Sequence, residues 1–217
     1  MKKNNLSKKG NELLKIYSEF VKSGYKTVDN KKVTSTYNDF ELVAYKDILK
    51  ENFKRYKIKS ILDYGSGGSD WNRKNFDEST NQSAMEYFNL ENVKKYEPAR
   101  FLDERSKNDC VICFDVLEHI FLGDLKKVLI DIFKCSTKLV ILQIACYKAK
   151  ALLPNGENAH ITIRHPQWWK GYVDSISSDF PGISILLMCS ESYRKTKVFS
   201  NWNAKMWHED KNYKIDY

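Results

Sequence analysis

The sequence predicts an α/β fold built on a mostly parallel sheet. Three strand-like segments carry that prediction, because each ends in a polar or acidic tip: Ile61-Leu62-Asp63-Tyr64, Val93-Lys94-Lys95-Tyr96-Glu97 and Cys110-Val111-Ile112-Cys113-Phe114-Asp115. The first runs straight into Gly65-Ser66-Gly67-Gly68-Ser69. Small residues there let the backbone approach a ligand and take dihedrals that a Cβ forbids. Such a turn at the carboxyl end of a parallel strand is where α/β sheets bind ligands. With 217 residues the chain has room for one domain with a substantial core, and too little for two catalytic domains.

The remaining elements follow from periodicity. Leu6, Leu13, Leu14, Ile16, Tyr17, Phe20 and Val21 fall at near-helical spacing and stop at Gly24, which predicts an amphipathic opening helix. Phe40, Leu42, Val43, Tyr45, Ile48, Leu49 and Phe53 predict a second, capped by Asn38 or Asp39. Segment 70–76 is polar and aperiodic, so the helix after the glycine turn is delayed to a short one around Gln82 to Phe88. Leu125, Val128, Leu129, Ile132 and Phe133 predict a helix packed on the sheet, and Leu139 to Ala145 a buried parallel strand. Ile183 to Ser190 and Lys197 to Trp202 read as a terminal hairpin. The expected organisation is one domain, with a helical cover over residues 1–57, a ligand-binding core over 58–146 and a further segment plus hairpin over 147–217.

The formal charge is +8, nearly all of it lysine spread along the chain. Arginine, whose planar fork suits phosphate and guanine, is scarce, so the excess reads more as solubility or compositional bias than as a nucleic-acid footprint. No apolar run approaches the roughly 20 residues that span a bilayer, and no apolar signal core follows Met1-Lys2-Lys3-Asn4-Asn5. The expectation is a cytoplasmic protein with no membrane partner. Five cysteines, mostly in apolar runs, predict reduced thiols. Cys110 and Cys113 have metal-pair spacing, but on a strand positions three apart point to opposite faces and share no ligand. No metal-ligand set is evident.

The glycine turn, Tyr96-Glu97-Pro98-Ala99 and Asp115-Val116-Leu117-Glu118-His119 together resemble the motifs of Rossmann-like class I S-adenosylmethionine-dependent methyltransferases, in particular small bacterial and phage proteins. Asp63, Gly65 and Gly67 match the first motif, with Ser69 in place of its third glycine. The resemblance implies a doubly wound, mostly parallel sheet with an antiparallel C-terminal strand. It implies S-adenosylmethionine as cofactor, held by Asp63, Tyr64, Gly65, Ser66, Gly67 and Gly68 at the turn, by Tyr96, Glu97 and Pro98, and by Asp115, Val116 and Leu117 at the methionine end. In that class the antiparallel strand inserts beside the fifth strand, and a third parallel strand lies at the sheet edge. Residues 98–108 are too few for a helix and that strand, so the third strand is expected to be missing. Phe101 and Leu102 are then the candidates to wall the adenine.

Segment 153–169, with Asn158-Ala159-His160-Ile161-Thr162 and Pro166-Gln167-Trp168-Trp169, matches a segment of the same small proteins and belongs near the acceptor. Methyl transfer needs alignment and, for a hydroxyl or ammonium, a proton acceptor. His160 and His119 are candidates for base or orienting group, and equally for loop anchor and helix-start hydrogen bonder. Glu118 either orients His119 or contacts the cofactor's amino group, or stands as an anion at a helix start. Trp168 and Trp169 stack on a planar acceptor or form core and cover; Trp71 closes over the cofactor or packs. The expected activity is methyl transfer to oxygen or nitrogen of a small or medium-sized acceptor. The alternatives are a nucleic-acid methyltransferase, a cofactor-binding protein without transfer activity and a cofactor-cleaving enzyme. There is no Asp/Asn-Pro-Pro run of the kind that holds a flipped base, and no Pro-Cys nucleophile.

Overall fold

The computed structural model describes residues 6–34, 40–77, 79–192, 195–203 and 209–213. Its strands are β1 (Tyr25–Thr27), β2 (Lys32–Val33), β3 (Ser60–Tyr64), β4 (Asn92–Glu97), β5 (Leu102–Asp103), β6 (Asn108–Phe114), β7 (Ser136–Ala145), β8 (Ala151–Leu152), β9 (Ser184–Ser192), β10 (Lys195–Trp202) and β11 (Glu209–Tyr213). Its helices are α1 (Lys8–Ser23), α2 (Phe40–Ala44), α3 (Lys46–Arg55), α4 (Ala84–Phe88), α5 (Leu125–Cys135) and α6 (Pro166–Ser177). The main sheet has eight strands in the order β11-β10-β9-β7-β6-β3-β4-β5. β9, β7, β6, β3 and β4 are parallel, and β5, β10 and β11 pair antiparallel. This is a Rossmann-like, doubly wound α/β fold.

Both sheet faces are buried, and successive residues serve opposite faces. Leu62, Val111, Cys113, Val140 and Leu142 pack under α5 and α6, with Leu129, Phe133, Trp169 and Val173. Ile61, Cys110, Ile112, Leu139 and Ile141 pack under α2, α3 and α4, with Leu49, Phe53, Trp71 and Phe88. Continuous apolar runs in β3, β6 and β7 are the signature of such two-sided burial. It also puts Cys110 and Cys113 on opposite faces, and all five cysteines are free thiols.

The sheet edges depart from the class pattern in instructive ways. Beside β4 there is no parallel third strand; residues 98–100 form a 3-10 turn and β5 returns antiparallel for two residues. At the other side, β9 lies parallel against β7 while antiparallel β10 stays outside it. The antiparallel strand therefore does not insert next to the fifth strand of the class. The reason is legible in burial: β9 is buried at seven successive positions from Ser184 to Ser190 and suits an interior site, whereas Lys195 is exposed and Lys197 half-exposed on β10.

Two N-terminal expectations are refined. The second helix is interrupted at Tyr45, whose hydroxyl reaches Ser190 and Thr196, both at 3.0 Å, so one long helix becomes α2 and α3; the caps proposed at Asn38 and Asp39 lie outside the described residues. The cover is not wholly helical either. β1 and β2 form a hairpin that pairs with β8, tying it to the segment after β7. α1 is capped by Ser7, whose hydroxyl accepts from Gly10, and Ser7 is itself tethered to Asp124. No helix among the described residues is long and apolar enough to cross a membrane.

The delayed helix α4 holds its start with a capping box: Ser83 accepts from the Glu86 N–H, and Glu86 accepts from the Ser83 N–H. With Lys74 at 2.5 Å, these bonds bring the Glu86 carboxyl down from 4.5 to about 2. A depressed carboxylate stabilises fully above its unfolded value and loses that contribution as pH falls through the folded one. Glu86→Gln should therefore flatten the part of the melting-temperature profile between pH 4.5 and about 2, measured by thermal denaturation of both proteins across that range.

Candidate functional site

Three strand tips meet at the carboxyl edge of the sheet. At the end of β3, the buried Asp63 carboxylate accepts from Ser69 Oγ at 2.6 Å and Trp71 Nε1 at 2.9 Å. Trp71 is thus a core residue that also forms part of the cavity wall. Gly65 has φ +81°, and its N–H donates to the Tyr96 carbonyl at 2.7 Å. A Cβ there would meet Val116 Cγ2 at 2.3 Å, so this glycine permits the third tip to approach the first. Gly67 donates to Glu97 Oε2 at 2.8 Å, and Ala99 donates to Glu97 Oε1 at 3.0 Å. Burial pushes the Glu97 carboxyl up, against the lowering effect of those two N–H groups.

The tip of β6 is held by a side chain in the middle of β7. Asp115 has φ +54°, a left-handed conformation that asparagine and aspartate tolerate better than most residues. Its N–H donates to Gln143 Oε1 at 2.9 Å and to the Gln143 carbonyl at 3.2 Å. Gln143 in turn donates to Ser190 Oγ at 3.1 Å. The one amide inside an apolar strand is therefore the fixture that turns Asp115 toward the cavity.

The tips enclose a cavity of about 350 Å³, within the range of sites for cofactor-sized molecules. Asp63, Tyr64, Gly65, Ser66 and Gly67 line it, as do Tyr96, Glu97, Pro98, Asp115, Val116 and His119. Most of the predicted cofactor set thus shares one wall. Gly68 is exposed and off that wall, and Leu117 is fully buried behind it. Phe101 is 70% exposed and, like Leu102, lies outside the lining. That corner is formed instead by Pro98, Ala99 and Arg105. Arg105 bridges Asp103 at 2.7 Å and Asp131 at 2.8 Å and lies 4.2 Å over the Tyr96 ring. α1 roofs the cavity with Leu13, Leu14, Tyr17 and Val21.

The predicted catalytic residues separate by depth. His119 is on the wall; His160 and Glu118 are buried and not on it. Glu118 Oε1 accepts from Ala145 N–H at 2.5 Å and Oε2 has no hydrogen-bond partner. Burial, with Asp115 nearby, pushes its carboxyl well above the usual range. Glu118 is therefore sealed away from direct contact with a ligand's amino group. Burial also brings His119 down to about 4, so its imidazole is neutral near pH 7. Trp169 is fully buried and Trp168 stacks on Tyr172 at 4.8 Å, both off the cavity; they are core and cover.

Two features were not read from the sequence. Glu41 of α2 lines the cavity, and burial followed by the Asp115 charge raises its carboxyl to about 7. An acid between the apolar residues Phe40 and Leu42 is the only signal it leaves in sequence. In addition, one donor atom each from Asp115, His119 and His160 lie within 4.8 Å of one another. Such a grouping is of metal-ligand type, and it escaped sequence reasoning because the β7 strand and the β8 excursion intervene between the two histidines.

Gly65→Ala combines a positive φ with a clash against Val116 and should destabilise the fold by roughly 1–3 kcal/mol, read by urea denaturation. Gln143→Leu should cost about 0.5–1.5 kcal/mol, the scale of a lost hydrogen bond whose partners keep others, because the Asp115 N–H loses the shorter of its two bonds and Ser190 loses its amide donor; an unchanged denaturation midpoint would refute the bracing role. No family model, curated protein or solved structure matches the chain.

Proposed function

We propose that the protein is an S-adenosylmethionine-dependent methyltransferase acting on oxygen or nitrogen of a small or medium-sized acceptor. The observation that carries this reading is the direct bond between the Gly67 N–H and the Glu97 carboxylate on the wall of one acidic cavity. Each Glu97 oxygen accepts one backbone N–H and keeps lone-pair capacity for a ribose hydroxyl. Ser66 Oγ is buried at the turn with no protein partner, a polar atom that a ligand would satisfy. Glu41, Glu97 and Asp115 line the cavity and form no ion pair among the described residues. Such walls favour a cationic ligand and disfavour a bare polyphosphate.

S-adenosylmethionine supplies an electrophilic methyl group on a sulfonium. The chain's part is to bind the adenosyl portion at Gly65 to Gly67 and Glu97, to set its own carboxylates against positive charge, and to present the acceptor from the side of His119. His119 donates through Nδ1 to the Ala159 carbonyl at 2.9 Å, so its Nε2 is an unprotonated acceptor. That nitrogen orients an acceptor hydroxyl or amine; as a weakened base it aligns more than it stores the proton.

A nucleic-acid acceptor is the second reading, favoured by one contrast: the chain carries +8 overall although its cavity is acidic, so the excess cations lie outside the cavity. Isothermal titration with S-adenosylmethionine and S-adenosylhomocysteine tests the main proposal. Wild-type protein should bind one equivalent, and Glu97→Gln should weaken binding roughly tenfold or more, as expected for loss of a charge-assisted bond. Absence of binding by folded wild type sinks the proposal. Products other than S-adenosylhomocysteine would point to cofactor cleavage, and binding to RNA or DNA that persists at moderate salt to the second reading.

A further inference from the structure

We infer that Asp115, His119 and His160 form a binding site for one divalent first-row transition-metal ion at the cavity wall. Their donor atoms lie within 4.8 Å of one another. Ligands bonded at about 2.1 Å to one ion sit at most about 4.2 Å apart, so side-chain adjustments of under about 1 Å close the set.

Both imidazoles have the kind of backbone partner that metal-bound histidines have. His160 Nδ1 faces the Tyr147 carbonyl at 2.5 Å, and His119 Nδ1 faces the Ala159 carbonyl at 2.9 Å. A carbonyl only accepts, so each Nδ1 carries the proton and each Nε2 has an unshared pair. Donation of the distal N–H to a carbonyl is the arrangement that fixes tautomer and ring angle in metal-bound histidines. Tyr17 completes the brace on His119, its hydroxyl lying 2.9 Å from Nδ1 and donating to the same Ala159 carbonyl. The two rings meet edge to face with centroids 4.8 Å apart.

The charge balance points the same way. Asp115 lies on the cavity wall and forms no ion pair with a lysine or arginine among the described residues. A carboxylate without a cationic side-chain partner is open to a metal ion. Two imidazoles and one carboxylate suit zinc, cobalt, nickel, iron or manganese better than magnesium or calcium, which favour all-oxygen sites. Three protein ligands leave coordination positions open, and Asp115 and His119 lie on the cavity wall. An oxygen or nitrogen of the cavity's ligand fills one of them. If the methyl-transfer reading holds, that atom belongs to the acceptor, and with the ion bound the acceptor is oriented through the ion and not by a direct hydrogen bond to His119 Nε2.

Cobalt(II) is the probe, added to chelator-treated full-length protein without S-adenosylmethionine. Wild type should take one equivalent with visible ligand-field bands, and Asp115→Asn, His119→Ala and His160→Ala should each weaken binding at least roughly tenfold. Circular dichroism identifies the variants that fold. Proton NMR of wild type gives an answer that needs no variant: with four histidines in the chain, the two internal imidazoles should broaden first and the exposed His165 last. No binding by wild type, equal broadening of His165, or folded variants that bind as tightly as wild type would each overturn the site. Repeating the S-adenosylmethionine titration with chelator present separates the two ideas, since adenosyl binding at Glu97 does not need the ion.

Discussion

The cavity side of the sheet depends on the bond between the Gly67 N–H and the Glu97 carboxylate. It joins the turn after β3 to the tip of β4 and, with Ala99 on the other carboxylate oxygen, organises the 3-10 turn that follows. Charge-assisted bonds of this kind are stronger than neutral ones, and here both oxygens of a half-buried carboxylate are engaged. Gly65 donating to Tyr96 makes the same connection through the backbone. Two parallel strands that share no covalent turn are thereby held as one cavity wall.

The third tip uses a different device. A left-handed Asp115 would be unfavourable alone, and Gln143 compensates by accepting its N–H from both side chain and main chain. The amide's other end reaches Ser190, which meets Tyr45 and Thr196. A polar chain inside the sheet thus runs from the cavity to the break between α2 and α3. Fully satisfied buried networks specify a single geometry, and this one sets the direction of the aspartate that faces both the cavity and the two histidines.

Charge is arranged by depth. The outer chain is lysine-rich, while the cavity gathers carboxylates that are neutralised only in part: Asp131 by Arg105 and Asp124 by Lys127, with Ser7 donating hydrogen bonds to Asp124. Burial, and then the nearby Asp115 charge, raise the cost of ionising Glu41. A cationic occupant, organic or metallic, would relieve that repulsion.

The α/β architecture, the two-sided burial of the central strands, the glycine turn, Glu97 and the delayed helix α4 were all legible in sequence, because each follows from local periodicity or from residues adjacent in the chain. The apolar run Ser184 to Ser190 even carries the reason for its interior place, although that place became evident only once β10 was seen outside it. What tertiary structure alone decided was which distant side chains meet. Nothing local says that Gln143 holds Asp115, that Glu41 enters the cavity from α2, that Arg105 and not Phe101 closes the corner beside Pro98, or that His160 comes to lie against His119. Those encounters depend on crossovers that bring separated segments to the same sheet edge, and a one-dimensional pattern encodes burial and turn chemistry but not the distance between remote atoms.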